Sequence, residues 1–123
     1  MVYLGIDYGT KRIGLAKATD ELKIATPLIT IPNNSNVFGV IQEIVIREKI
    51  GEIILGVPVS FDGQENVFAK SIREFGEGLK KSTGLPVYYQ NEILTTSEVK
   101  RGESTDPDAS AAALILQSFL DVL

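Results

Sequence analysis

A chain of 123 residues, 44% hydrophobic and 23% charged, has the size and composition of one soluble domain with a single core. It contains neither cysteine nor histidine, which excludes disulfides, thiol nucleophiles, Ser-His-Asp chemistry and most zinc sites, and leaves acid–base and metal chemistry to carboxylates, lysines and hydroxyls. The net charge of -4 argues against a nucleic-acid coat protein while allowing a local basic groove; with no membrane-length apolar stretch and no signal-peptide layout, a cytoplasmic protein is expected.

The run VYLGID (residues 2–7) is short, continuous and apolar, as a central strand covered on both faces requires. The turn Tyr8-Gly9-Thr10-Lys11 leads into RIGLAKAT (12–19), so a hairpin is expected. In its second arm Ile13 and Leu15 face one way, while Gly14, Ala16 and Ala18 face the other. A third strand is read at LITI (28–31). Between Asn36 and Lys49, Val37, Val40, Ile41, Ile44 and Val45 recur at helical spacing. EIILGVP (52–58) is a buried strand ended by Pro58, and Asp62-Gly63 in the polar loop after it reads as a turn. A second helix is predicted from about Val67 to Thr83, capped by Gly84. PVYYQNE (86–92) supplies the next strand, and Thr95 to Arg101 a short helical segment.

The last helix has an explicit start: Asp106 as cap, Pro107 at the first position, then Asp108. At 100° per residue, Asp108 heads a stripe formed by Ala111, Ala112, Ile115, Phe119 and Val122, with Ser110, Gln117 and Asp121 opposite. Asp108 thus points with the core face, whereas a merely solvated aspartate should point away. The order of elements predicts an α/β fold: a mixed five-stranded sheet opened by a hairpin and continued by strands alternating with helices, with helices on both faces. No repeat or linker divides the chain, so residues 1–123 form one domain.

Three acids share a placement. Asp7 ends the first strand, Glu92 ends the last, and Asp108 opens the final helix facing inward. If the first and fifth strands are parallel, their C-terminal ends share the edge at which open α/β sheets bind ligands. Converging carboxylates repel unless they are protonated or hold a cation. Mg²⁺ accepts a few carboxylates plus water, and two such ions ~4 Å apart can activate a water and stabilise the leaving oxygen of a phosphodiester. Each acid also has a plain reading: Asp7 as a turn acceptor, Glu92 as an exposed strand end, Asp108 as a partner of the helix dipole. It is their joint placement that points to a metal site. Lys11 and Arg12 are either phosphate partners or a solvated hairpin tip, and Thr95 and Thr96 either donate to phosphates or start the short helix.

Four segments, GIDYGTKRIGLA, GVPVSFDGQENVFAKSIREF, NEILTT and DASAAALILQSFL, resemble the signature segments of the YqgF (RuvX) family, in order and over nearly the whole chain. The resemblance implies an RNase H-like fold and a nuclease dependent on Mg²⁺ or Mn²⁺. Such a nuclease would process the 5′ end of pre-16S rRNA, or alternatively resolve Holliday junctions. By the same resemblance Asp7, Glu92 and Asp108 are the catalytic, metal-binding acids; Gly9, Thr10, Lys11, Arg12, Thr95 and Thr96 are the candidate nucleic-acid contacts. The expected partner is nucleic acid, with no membrane, and the chain is expected to be a monomer or weak homodimer.

Two departures from the family pattern stand out. Asn91 and Ile93 flank Glu92 where the family has aspartate and arginine, and only Lys100 and Arg101 remain of the basic segment before Asp108. Fewer cations mean fewer phosphate contacts, which keeps a non-catalytic binding or scaffold module as a further reading. DYGTKRIG also resembles the phosphate-binding hairpin of sugar kinases, actin and heat-shock ATPases, whose glycine-rich turn offers N–H groups to phosphate. Those proteins close two such domains over a nucleotide, and 123 residues supply one.

Overall fold

The computed structural model describes residues 1–59, 68–93 and 106–123. In chain order these form β1 (Val2–Tyr8), β2 (Arg12–Thr19), β3 (Thr26–Pro32), α1 (Val37–Glu48), β4 (Glu52–Val59), α2 (Ala69–Thr83), β5 (Val87–Ile93) and α3 (Pro107–Asp121). The turn expected at Asp62-Gly63 and the helical segment expected from Thr95 to Arg101 lie outside the described residues.

The strands make one sheet in the order β3-β2-β1-β4-β5. β1, β2 and β3 pair antiparallel, whereas β4 runs parallel to both β1 and β5. β1, β4 and β5 therefore end at the same edge, which also carries the β1–β2 turn. The mixed sheet expected from the sequence is the one found.

The two faces of the sheet differ in side-chain size, and that difference decides what covers each. On one face Leu4, Ile6, Ile13, Leu15, Ile53, Leu55 and Val57 form a thick branched layer with Ile41 and Ile44 of α1 and Ile72, Phe75 and Leu79 of α2. On the other, Tyr3, Ala16, Ala18 and Ile54 meet Ala112, Ile115, Leu116 and Leu120 of α3. Small residues bring α3 close: a Cβ on Gly5 would lie 2.7 Å from Leu116 Cβ, and one on Gly56 2.5 Å from Ile115 Cδ1. Among the described residues no helix is long and apolar enough to cross a membrane.

Four details depart from the sequence reading. The buried stripe of α3 is Ala109, Ala112, Ile115, Leu116 and Leu120, rotated from the expected one, which places Asp108 at its margin. Val122 is 78% exposed because the helix has already ended at Asp121. Gln117, expected to face water, accepts from the Ala25 N–H (2.9 Å) and donates to the Lys23 carbonyl (3.0 Å); the loop after β2 crosses α3, and its backbone groups need partners there. β4, for its part, runs on through Pro58 to Val59. Its ladder to β1 has ended at Leu55, and Pro58 pairs only with Glu92 of β5, so a residue without an N–H is tolerated.

Overpacking at the close approach is testable. Gly5→Ala places its methyl 2.7 Å from Leu116 Cβ, and should lower stability by about 1–3 kcal/mol in urea denaturation. Gly39→Ala, in α1 with nothing within 4 Å of the added methyl, should raise stability by about 0.5 kcal/mol.

Candidate functional site

β1 presents Asp7 toward α3, on the same face as Tyr3 and Gly5, by the alternation of side chains along a strand. Its partner across the ladder is Gly14 of β2. Gly14 has to be glycine, because a Cβ there would fall 2.0 Å from the Asp108 carbonyl oxygen. The backbone of Asp108 thus rests on the position opposite Asp7. α3 begins at this point because the Asp106 side chain caps it, accepting from the Ala109 N–H (3.2 Å), with Pro107 fixing the first turn.

Arg12, the first residue of β2, donates from Nε to Asp108 Oδ2 at 2.8 Å. The arginine side chain is 67% exposed and the aspartate 30%, so the pair sits at the rim of the site. Glu92 lies farther along the sheet edge, paired with Pro58 across β4–β5. Asp7 and Glu92 line one cavity of about 90 Å³, with Gly56 and Pro58 between them and Phe68, Ile72 and Ile115 among its apolar walls.

Those walls explain the electrostatics. Burial, and secondarily the negative charge of Asp108, push the Asp7 carboxyl up to about 6. The sequence led us to expect a raised pKa from mutual repulsion; burial is the larger cause, because one side of the cavity is hydrocarbon.

The structure therefore brings Asp7 and Asp108 together and puts Glu92 in the cavity beside Asp7. Among the described residues no three acids are gathered tightly enough to ligate one ion jointly. Lys11 is exposed on the β1–β2 turn, which fits both a phosphate partner and a solvated hairpin tip, whereas Arg12 turns back onto Asp108. Gly9 and Thr10 form the tight part of that turn, where a Cβ on Gly9 would lie 2.4 Å from the Arg12 carbonyl oxygen. Thr95, Thr96, Lys100 and Arg101 lie outside the described residues.

Two contributors went unnoticed in the sequence. Asn33, just past β3, donates from Nδ2 to the Gly9 carbonyl (2.9 Å), and its N–H donates to the Lys11 carbonyl (2.9 Å), pinning the turn from the side. Thr30 of β3 donates its hydroxyl to the cap residue Asp106. An asparagine following proline signals a turn, but nothing local tells which backbone it will hold.

A family model, RuvX, described as Holliday junction resolvase, matches residues 1–122. A protein of Rickettsia rickettsii (strain Sheila Smith), named as a pre-16S rRNA nuclease, is 37% identical over 130 residues, covering 96% of this chain and 84% of its own. Among solved structures, RuvC of Thermus thermophilus matches with a TM-score of 0.67 at 16% identity, covering 99% of this chain and 95% of that one. The same protein in complex with a Holliday junction substrate gives 0.65 at 18% identity, covering 99% and 94%. At such identities the likeness speaks to the fold, which is RNase H-like.

The raised Asp7 carboxyl fixes a pH dependence of stability. The native state keeps this proton up to about pH 6, while the unfolded chain loses it near pH 4. Between those values the native state binds more protons, so stability falls as pH rises through the window and stays lower above it. Asp7→Asn lacks the penalty. It should be more stable than the native chain by roughly 2 kcal/mol at pH 7.5 without divalent ions, with the gain vanishing toward pH 4 in urea titrations.

Proposed function

The chain belongs to the RuvX (YqgF) family, and from that premise we propose that it is a metal-dependent nuclease that hydrolyses phosphodiester bonds of pre-16S rRNA at the edge where β1, β4 and β5 end. The observation that carries this reading is the meeting of Asp7 and Asp108 at the end of β1, beside a partly apolar cavity that Asp7 and Glu92 line. A junction-resolving activity is the second reading, favoured by the description of the matched family model.

The donor set suits a hard divalent cation. The available ligands are carboxylate oxygens, and the chain has no thiolate or imidazole to draw softer metals. Asp7 and Asp108 would hold Mg²⁺ or Mn²⁺, with Glu92 on the same cavity. A bound pair of such ions supplies a water of lowered pKa and neutralises charge on the leaving oxygen.

The chain's own groups do the rest. Asp7 must give up its proton to serve as a ligand, so cation binding strengthens as pH rises through about 6. Arg12 neutralises Asp108 when no cation is present; with most of its side chain exposed, it can turn its fork to a phosphate once a cation takes over that carboxylate. Lys11 adds a second positive charge on the same turn, and Asn33 keeps that turn in place. The apolar walls Phe68, Ile72 and Ile115 thin the water around the reacting charges, which strengthens every electrostatic contact there.

Two experiments test the reading. Native protein given Mg²⁺ or Mn²⁺ should cleave labelled pre-16S rRNA in preference to single strands and four-way junctions. Asp7→Asn, which keeps size and fold, should reduce that cleavage by at least about a hundredfold, in line with the loss of a metal ligand or its support. Undiminished cleavage by that variant would move the active site elsewhere. Absence of cleavage with retained binding would favour the scaffold reading, and ATP hydrolysis exceeding phosphodiester cleavage would favour the kinase-like one.

The second experiment is a salt titration of binding in Ca²⁺. Affinity falls with salt by roughly -0.9 per phosphate neutralised on duplex DNA and roughly -0.7 on single strands. With Lys11 and Arg12 as main contacts, the slope should correspond to about one to three phosphates, and replacing both by alanine should flatten it. A steep slope that survives the double substitution would place the contacts on another surface.

A further inference from the structure

We propose that Thr30 is a positioning residue: its hydroxyl latches the cap of α3 to the sheet and so seats Asp108 beside Asp7. The inference rests on the nuclease reading for its catalytic consequence and on the hydrogen bonding around Asp106 for its physical content.

Three residues stand side by side across three strands. Thr30 of β3 pairs with Gly14 of β2, and Gly14 pairs with Asp7 of β1. Directly paired residues of an antiparallel ladder present their side chains on the same face, about 5 Å apart, so the row runs beneath the first turn of α3. Each member meets that turn differently. Thr30 donates its hydroxyl to Asp106 Oδ1, Gly14 leaves room for the Asp108 carbonyl, and Asp7 presents the carboxylate that shares the site.

The cap alone cannot do this. Asp106 Oδ1 accepts from the Ala109 N–H, and the Ser110 N–H donates to the Asp106 carbonyl (3.0 Å), which organises the helix end but says nothing about where the helix lies over the sheet. Thr30 links that same oxygen to β3. Its β-branched side chain has few χ1 rotamers on a strand, so the hydroxyl is held in its aim.

A second tie between the sheet and this turn is the ion pair from Arg12 to Asp108 at 2.8 Å, whose arginine is largely exposed. A cation on Asp108, or a phosphate on Arg12, competes with that pair. The contact from Thr30 to Asp106 involves neither group and keeps the turn in place when Arg12 lets go.

The test compares the native chain with Thr30→Val, which keeps the shape and removes the donor, and Thr30→Ser, which restores the hydroxyl. Three quantities are read: amide hydrogen exchange at Ala109 and Ser110, Mn²⁺ affinity by electron paramagnetic resonance, and kcat and KM for cleavage. Thr30→Val should speed exchange at both amides and lower Mn²⁺ affinity and kcat by roughly tenfold with KM unchanged, as expected when a group supporting a metal ligand is removed. Thr30→Ser should return all three to within about threefold of native.

Unchanged exchange in Thr30→Val would overturn the latch. Faster exchange with native Mn²⁺ affinity and kcat would make it a stability contact only and overturn the positioning role, as would a folded Thr30→Ser that fails to rescue. Should Thr30→Val not fold, Asp106→Asn, which keeps a cap and weakens the acceptor, takes its place with the same direction of change expected. A native chain that neither binds Mn²⁺ nor cleaves removes the nuclease reading, and the latch is then judged by exchange alone: faster in Thr30→Val supports it, unchanged overturns it.

Discussion

Everything at this edge of the sheet depends on how closely α3 can approach β1 and β2. The approach is set by the absence of side chains: Gly5, Gly14 and Gly56 each leave a space that a methyl group would fill with an atom of α3. At Gly14 the atom is a backbone oxygen, that of Asp108, and a backbone cannot swing aside as a long side chain does. A larger residue there would lift the first turn of the helix and separate Asp108 from Asp7. The opposite face is built from branched side chains, which fill the space between the sheet and the helices α1 and α2. The asymmetry between the faces is therefore what turns a strand-end aspartate into half of a carboxylate pair.

A carboxylate pair so placed is electrostatically unfavourable. Burial raises the Asp7 carboxyl and Asp108 adds to the effect, so without a cation the arrangement is relieved by a proton on Asp7 and by Arg12 on Asp108. Both are removable, the proton by raising the pH and the arginine by competition. On the proposed reading, a divalent cation would replace both of these weak counter-charges with one strong one. The same tension is a source of instability in the ion-free protein, a common condition of functional sites.

Much of this was legible in the sequence. The continuous apolar run before Asp7, the alternation of Ile13 and Leu15 with Gly14 and Ala16, and the Asp106-Pro107 start of α3 are local signals; each located its element, and the alternation along β2 also located its faces. What was not legible depends on pairing. Thr30 matters because the ladder sets it opposite Gly14, and Asn33 because its chain returns beside Gly9; no window of sequence contains those neighbours. The inward turn of Arg12 was missed because it spans 96 positions of chain to reach Asp108. The stripe on α3 was misplaced because alanines at 109, 111, 112 and 113 surround its first turns, so hydrophobicity alone does not select the side that meets the sheet, while packing buries Ala109 more fully than Ala111.

On the proposed reading, Asp7 and Asp108 together hold a divalent cation that displaces Arg12. Crystals grown with Mn²⁺ and measured at a wavelength where manganese scatters anomalously test it directly. A peak between the two carboxylates is expected, with the Arg12 guanidinium moved off Asp108. A peak elsewhere, or bound manganese with the ion pair of Arg12 and Asp108 intact at its present 2.8 Å, would contradict it.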